Sequence, residues 1–176
     1  MNIYMKPTKI SIRRGTWETN SSSTHALCIK KTMPDKLPTE IYFSLGEFGW
    51  EQEVWNDYST KAAYLHTAIY DMCYEDRTMY KTFKQEISDT LASYGIKAEW
   101  KEVETMSDYN YYIDHSMELD DFVSDLLKNP ELLIEWLFNS ESVLVTDNDN
   151  SEMEYYDKAY EKYANKDGWY FFGKGN

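Results

Sequence analysis

Ser116 to Thr146 reads SMELDDFVSDLLKNPELLIEWLFNSESVLVT, and the apolar spacing changes within it. Leu119, Phe122, Val123, Leu126 and Leu127 fall at helical spacing, which predicts a helix over Met117–Lys128 with one apolar face and Ser116 as its N-cap. Pro130 suits the first position of a second helix reaching about Phe138, because its missing N–H is one that a helix start leaves unpaired anyway. Ser142–Thr146 then runs as a short apolar, partly β-branched segment, the mark of a strand. Helices that lead straight into a strand, in mixed order along the chain, predict an α+β fold with a mainly antiparallel sheet and four to five helices.

Upstream, Lys9–Arg14 alternates apolar and polar residues as a strand closed by Gly15, and a polar turn over Glu18–Thr24 leads to a partner strand at His25–Ile29. Pro34 and Pro38 bracket a loop before a third strand at Glu40–Leu45. Ser59 is the expected N-cap of a helix over Thr60–Tyr74, and a second helix over Thr78–Tyr94 ends where Gly95 supplies the C′ residue. Ile96–Val103 reads as a further strand, with Ile96, Ala98 and Trp100 at period two. Downstream, Ser151–Ala164 is an acidic, tyrosine-rich helix, Gly168 ends the turn after it, and Trp169–Phe172 forms a last strand. At 176 residues the chain fits one domain around one core.

Composition narrows the function. No run approaches the roughly 18 apolar residues of a membrane helix, and the amino terminus lacks the blocks of a secretory signal. With only Cys28 and Cys73 as thiols, a reducing cytoplasm is the expected compartment. The net charge is −13, with 31 acids against 18 bases, so direct binding to a phosphate backbone is not expected. Glu99–Glu161 holds 18 of the acids and 3 of the bases, which concentrates the negative charge in one part of the chain. Two acidic segments there are also rich in tyrosine. One carries Glu102, Glu104 and Asp108 among Trp100, Tyr109, Tyr111 and Tyr112; the other carries Glu152, Glu154, Asp157 and Glu161 among Tyr155, Tyr156, Tyr160 and Tyr163. Tyrosine brings large area with few rotatable bonds, and ringed by carboxylates it suits an Arg-rich protein partner.

The segment Arg13-Arg14-Gly15-Thr16-Trp17-Glu18-Thr19-Asn20-Ser21-Ser22-Ser23-Thr24-His25 resembles the opening of a group of small phage and prophage proteins in which these words recur. Small size, acidity and this opening together look like the anti-CRISPR proteins directed at type II, Cas9-type nucleases. The resemblance implies a phage-derived inhibitor acting in the host bacterial cytosol. As a DNA mimic it would cover the positively charged groove that holds the nuclease's heteroduplex, blocking DNA loading or cleavage.

Other chemistry has weaker local support. His25 and Cys28 are two residues apart, the spacing of a ligand pair in a turn, yet they point opposite ways in a regular strand. His66 and Cys73 share a helix face about 10 Å apart along the axis, too far for one ion. The candidate ligands of a single structural zinc are therefore His25, one of Cys28 and Cys73, His115, and Asp114 as a fourth or outer group. A metal-dependent hydrolase built on His25, Asp114 and His115 is the main rival to an inhibitor, followed by a structural or regulatory phage component. No Gly-x-Ser-x-Gly, His-Glu-x-x-His or phosphate-loop motif occurs. Asp147–Glu152 lacks the glycine and terminal glutamate of a calcium loop and is expected to be a solvated turn.

Overall fold

The structure, a computed structural model, describes residues 23–49, 51–73, 76–104, 111–114, 119–148 and 153–174. The expected strand at Lys9–Arg14, the polar turn before Ser23, and the Ser116 cap lie outside these residues.

Strand β1, Ser23–Lys30, is the middle of the molecule. Its run of Ala26, Leu27, Cys28 and Ile29 is fully buried, as a strand covered on both faces requires. On one side it pairs antiparallel with Val143–Asn148, where Leu27 faces Leu144; on the other it pairs antiparallel with Trp169–Lys174, where Ile29 faces Tyr170. A short strand at Glu53–Trp55 joins the outer edge of Val143–Asn148, again antiparallel. Two small parallel ladders lie apart from this four-stranded sheet: Glu40–Phe43 with Lys97–Trp100, and Glu47–Phe48 with Tyr112–Ile113. In chain order the strands are β1, β2 (Glu40–Phe43), β3 (Glu47–Phe48), β4 (Glu53–Trp55), β5 (Lys97–Trp100), β6 (Tyr112–Ile113), β7 (Val143–Asn148) and β8 (Trp169–Lys174).

Five helices complete the described fold, which is α+β with an antiparallel main sheet: α1 (Tyr58–Met72), α2 (Arg77–Ser93), α3 (Leu119–Lys128), α4 (Pro130–Phe138) and α5 (Glu154–Tyr163). Period-two alternation along β1 sorts them into layers. Leu27 and Ile29 face a large core shared with α1, α2, α3 and α4, whereas Ala26 and Cys28 face a smaller one closed by Ala159 and Tyr163 of α5. Helix α1 is the buried axis of the larger core, with every residue from Lys61 to Tyr70 inside. None of the described helices is long and apolar enough to cross a membrane.

Helix ends follow local chemistry, with one shift. Helix α1 is capped by Asp57, whose carboxylate accepts the Thr60 N–H at 2.8 Å and the Ser59 hydroxyl at 2.6 Å. A carboxylate two residues upstream thus takes the place expected of Ser59, and the helix starts earlier. Helix α2 closes as predicted: Gly95 has φ +76°, its N–H bonds Ala92 O at 2.9 Å, and the Ile96 N–H bonds Leu91 O at 3.0 Å. That pair of bonds is the Schellman arrangement, which satisfies two carbonyls the helix leaves open. Helix α4 begins at Pro130, with the Asn129 side chain accepting from Leu132 N. The strand expected over Ile96–Val103 contracts to Lys97–Trp100, because β2 offers only four residues to pair with.

Lys61 is fully buried beside the end of α4. Its Nζ donates to the carbonyls of Asn139 at 3.0 Å and Ser142 at 3.1 Å and lies 5.7 Å from the centre of the Trp136 ring. A helix C-terminus offers open carbonyls and partial negative charge, so an ammonium there completes α4 from another part of the chain. Burial drives the Lys61 pKa down to about 8, against the pull of nearby Asp57.

Candidate functional site

Helix α5 owes its start to a buried carboxylate on β7. Asp147 is fully buried; its Oδ2 accepts the N–H groups of Tyr155 at 2.8 Å and Tyr156 at 2.9 Å. Its Oδ1 accepts Asn148 N at 2.8 Å and the Gln52 amide at 3.0 Å. Burial pushes the Asp147 pKa upward, but the hydrogen bonds from Tyr156, Gln52, Asn148 and Tyr155 outweigh it and hold the carboxyl below its ordinary range. The solvated turn expected at Asp147 is therefore replaced by a helix anchor. An acid at a helix N-terminus also meets the positive end of the backbone dipole.

Anchored this way, α5 turns Ala159 and Tyr163 inward. Glu154, Asp157 and Glu161, at i, i+3 and i+7, then form one exposed stripe on the opposite face. Tyr160 borders the stripe at 51% exposure and meets the Phe171 ring of β8 edge-on at 5.6 Å; Tyr156 meets the same ring at 6.3 Å. Tyr155 is exposed on the other flank. Two lysines interrupt the acidity: Lys158 pairs with Glu154, and Lys162 lies over the Tyr163 ring. The acidic surface of α5 is thus a stripe and not the whole helix.

The predicted docking residues do not gather in one place. Glu102 and Glu104 are exposed just after β5, with Glu102 near Tyr80 and Lys84 of α2, in the layer beyond the larger core. The sheet separates them from α5. Asp108 and Glu152 lie outside the described residues.

The candidate metal ligands separate in a similar way. His25 is buried, its Nδ1 2.9 Å from the Tyr64 hydroxyl and its Nε2 3.1 Å from Gly49 O. A carbonyl only accepts, so Nε2 carries the proton and Nδ1 accepts from Tyr64. Asp114 lies at the same corner: its N–H donates to Phe48 O at 2.8 Å, and its carbonyl accepts the Ser23 hydroxyl at 2.9 Å. Cys28 points to the other face of β1, where burial pushes its thiol up to about 12. Cys73 ends α1, nine residues beyond Tyr64 and so about 13 Å along the axis, with its thiol pushed up to about 11 by burial. His115 lies outside the described residues. Among the described residues no three His, Cys, Asp or Glu side chains converge as a metal site.

His66 has the same construction as His25. Its Nδ1 donates to the carbonyls of Phe43 at 3.0 Å and Ser44 at 3.1 Å, while Nε2 accepts the Tyr80 hydroxyl at 2.6 Å. Burial lowers its pKa to about 3, so it stays neutral. Thr67 adds a bond from Gly46 N, and Glu51 one from Gly49 N. Residues 43–49 are therefore tied by side chains of β1 and α1 together with Glu51, and both histidines serve this attachment. Helical spacing placed His66 on α1 but carried no sign of the carbonyls it meets.

Comparison with known proteins returns no match for this chain, whether by family model, by curated sequence or by solved structure.

Proposed function

We propose that the protein is a docking protein that meets a basic macromolecular surface with the acidic, aromatic side of α5. More particularly, it acts as an inhibitor of a Cas9-type nuclease, covering part of the positively charged groove that handles nucleic acid. The observation that carries this reading is the stripe of Glu154, Asp157 and Glu161 bordered by the half-exposed ring of Tyr160. Carboxylates beside tyrosine faces suit arginine, which pairs with the one and stacks on the other. Anchoring by Asp147 presents the stripe on a fixed helix, which lowers the entropy lost on docking.

The test is DNA cleavage by a guide-loaded Cas9-type nuclease, titrated with the protein and with a variant carrying Asp157→Lys and Glu161→Lys. With rim pairs worth up to about 1 kcal/mol each, losing two and adding repulsion weakens inhibition roughly thirtyfold or more. Inhibition should also fade as salt rises, since exposed charges are screened beyond about 8 Å at physiological ionic strength. Equal inhibition by the folded variant removes α5 from the contact, and no inhibition by either protein removes this target.

A second reading, a metal-dependent hydrolase at His25, Asp114 and His115, draws on the neighbouring positions of His25 and Asp114 around Gly49. Metal analysis of the purified protein and chelator-sensitive turnover on phosphoesters would favour it, whereas a bound zinc whose removal only lowered the melting temperature would be structural and would count against it.

A further inference from the structure

Helices α2 and α3 both lie against α1, and between them runs a groove of about 820 Å³. Its apolar lining comes from Met72 at the end of α1, Met79 and Phe83 on α2, and Leu127 on α3. Glu86 on α2 and Asp120 and Asp121 on α3 supply carboxylates to the lining, with Lys128 as the one base among them. All three carboxylates are exposed, and so is Met79 at 37%.

The acids have a partial local explanation. Asp120 and Asp121 occupy the first turn of α3, where negative charge suits the helix dipole. Glu86 stands mid-way along α2, gains nothing from a helix terminus, and still lines the same groove. An apolar trough between two helices with carboxylates on both walls matches the way amphipathic helices are bound, with apolar anchors below and charged flanks at the rim. Methionines adapt to the shapes of such anchors.

We infer that this groove binds a basic amphipathic helix of a protein partner, with leucine-like side chains against Met79 and Phe83 and Lys or Arg against Glu86, Asp120 and Asp121. The site lies on the far side of the sheet from α5 and stands independently of the nuclease reading.

The probe is a labelled peptide of about 18 residues, roughly five helical turns, made of leucine and lysine in amphipathic order, with a leucine and glutamate version as its counterpart. Fluorescence anisotropy should show binding of the lysine peptide alone. Met79→Glu and Glu86→Lys, both exposed on α2, should each weaken binding about tenfold, whereas Asp157→Lys with Glu161→Lys on α5 should leave it unchanged. Equal binding of the glutamate peptide, or unchanged binding by both α2 variants, overturns the proposal. So does a dimer in sedimentation that Met79→Glu dissociates, since a second copy would then be the occupant.

Discussion

Lowering the pH from 7 to 5 is expected to cost the fold about 2 kcal/mol through His66 alone. In the folded protein burial holds this imidazole near pKa 3, whereas in the unfolded chain it titrates near 6.5. The unfolded state therefore binds the proton first. The stability it contributes is complete above about 6.5 and falls by roughly 1.4 kcal/mol per unit as the pH drops toward 3. With a urea slope of about 2 kcal/mol per molar, the midpoint should fall by about 1 M between pH 7 and pH 5. Carboxylates with ordinary values near 4 contribute little in that window, and His66→Gln isolates the histidine. A glutamine amide can donate to Phe43 O and Ser44 O and accept from Tyr80 without titrating. The variant should lose less stability than the wild type on acidification, by about the 2 kcal/mol assigned to His66. Equal acid sensitivity in both proteins, or an NMR titration of the His66 ring with a midpoint near the unperturbed value, would refute the reasoning.

Asp147→Ala should cost about 2 kcal/mol or more, because four donors to a buried carboxylate lose their acceptor; hydrogen exchange should show the first turn of α5 opening before the strands of the sheet it packs on. For Lys61 the folded value near 8 lies below the unfolded 10.5, so its burial penalty is relieved as pH rises through that interval. Relative to the wild type, Lys61→Met should be about 3 kcal/mol better placed at pH 7 than at pH 10.5 in denaturant titrations, a swing that the pH-independent cost of two orphaned carbonyls lowers at both ends without changing. Gly95→Ala should lose about 1 kcal/mol in thermal melts, since no atom crowds the new Cβ and the cost is the φ of +76° alone.

The elements most legible in the sequence are those whose cause is local. Pro130 starts α4, Gly95 ends α2, and both act through the dihedral angles of one or two residues. The strand at β1 is legible after the polar turn as the second strand of a hairpin, but both of its edges are taken by β7 and β8, more than a hundred residues downstream. The start of α1 shows the limit of local reading: Asp57 and Ser59 are both competent caps, and the choice between them moves the helix by about half a turn.

What the sequence by itself determined is the class of fold, the periodic elements and the concentration of acids between Glu99 and Glu161. Tertiary structure alone decided which charges are inside and which exposed acids are neighbours. Asp147 looks like any acid of a polar turn until Tyr155, Tyr156 and Gln52 close around it. Lys61 finds its carbonyls 78 and 81 residues away. Glu102 and the stripe on α5 belong to one acidic stretch of chain, yet the sheet stands between them. Hydrogen-bond partners and burial depend on contacts between distant segments, and residue order carries no direct record of those.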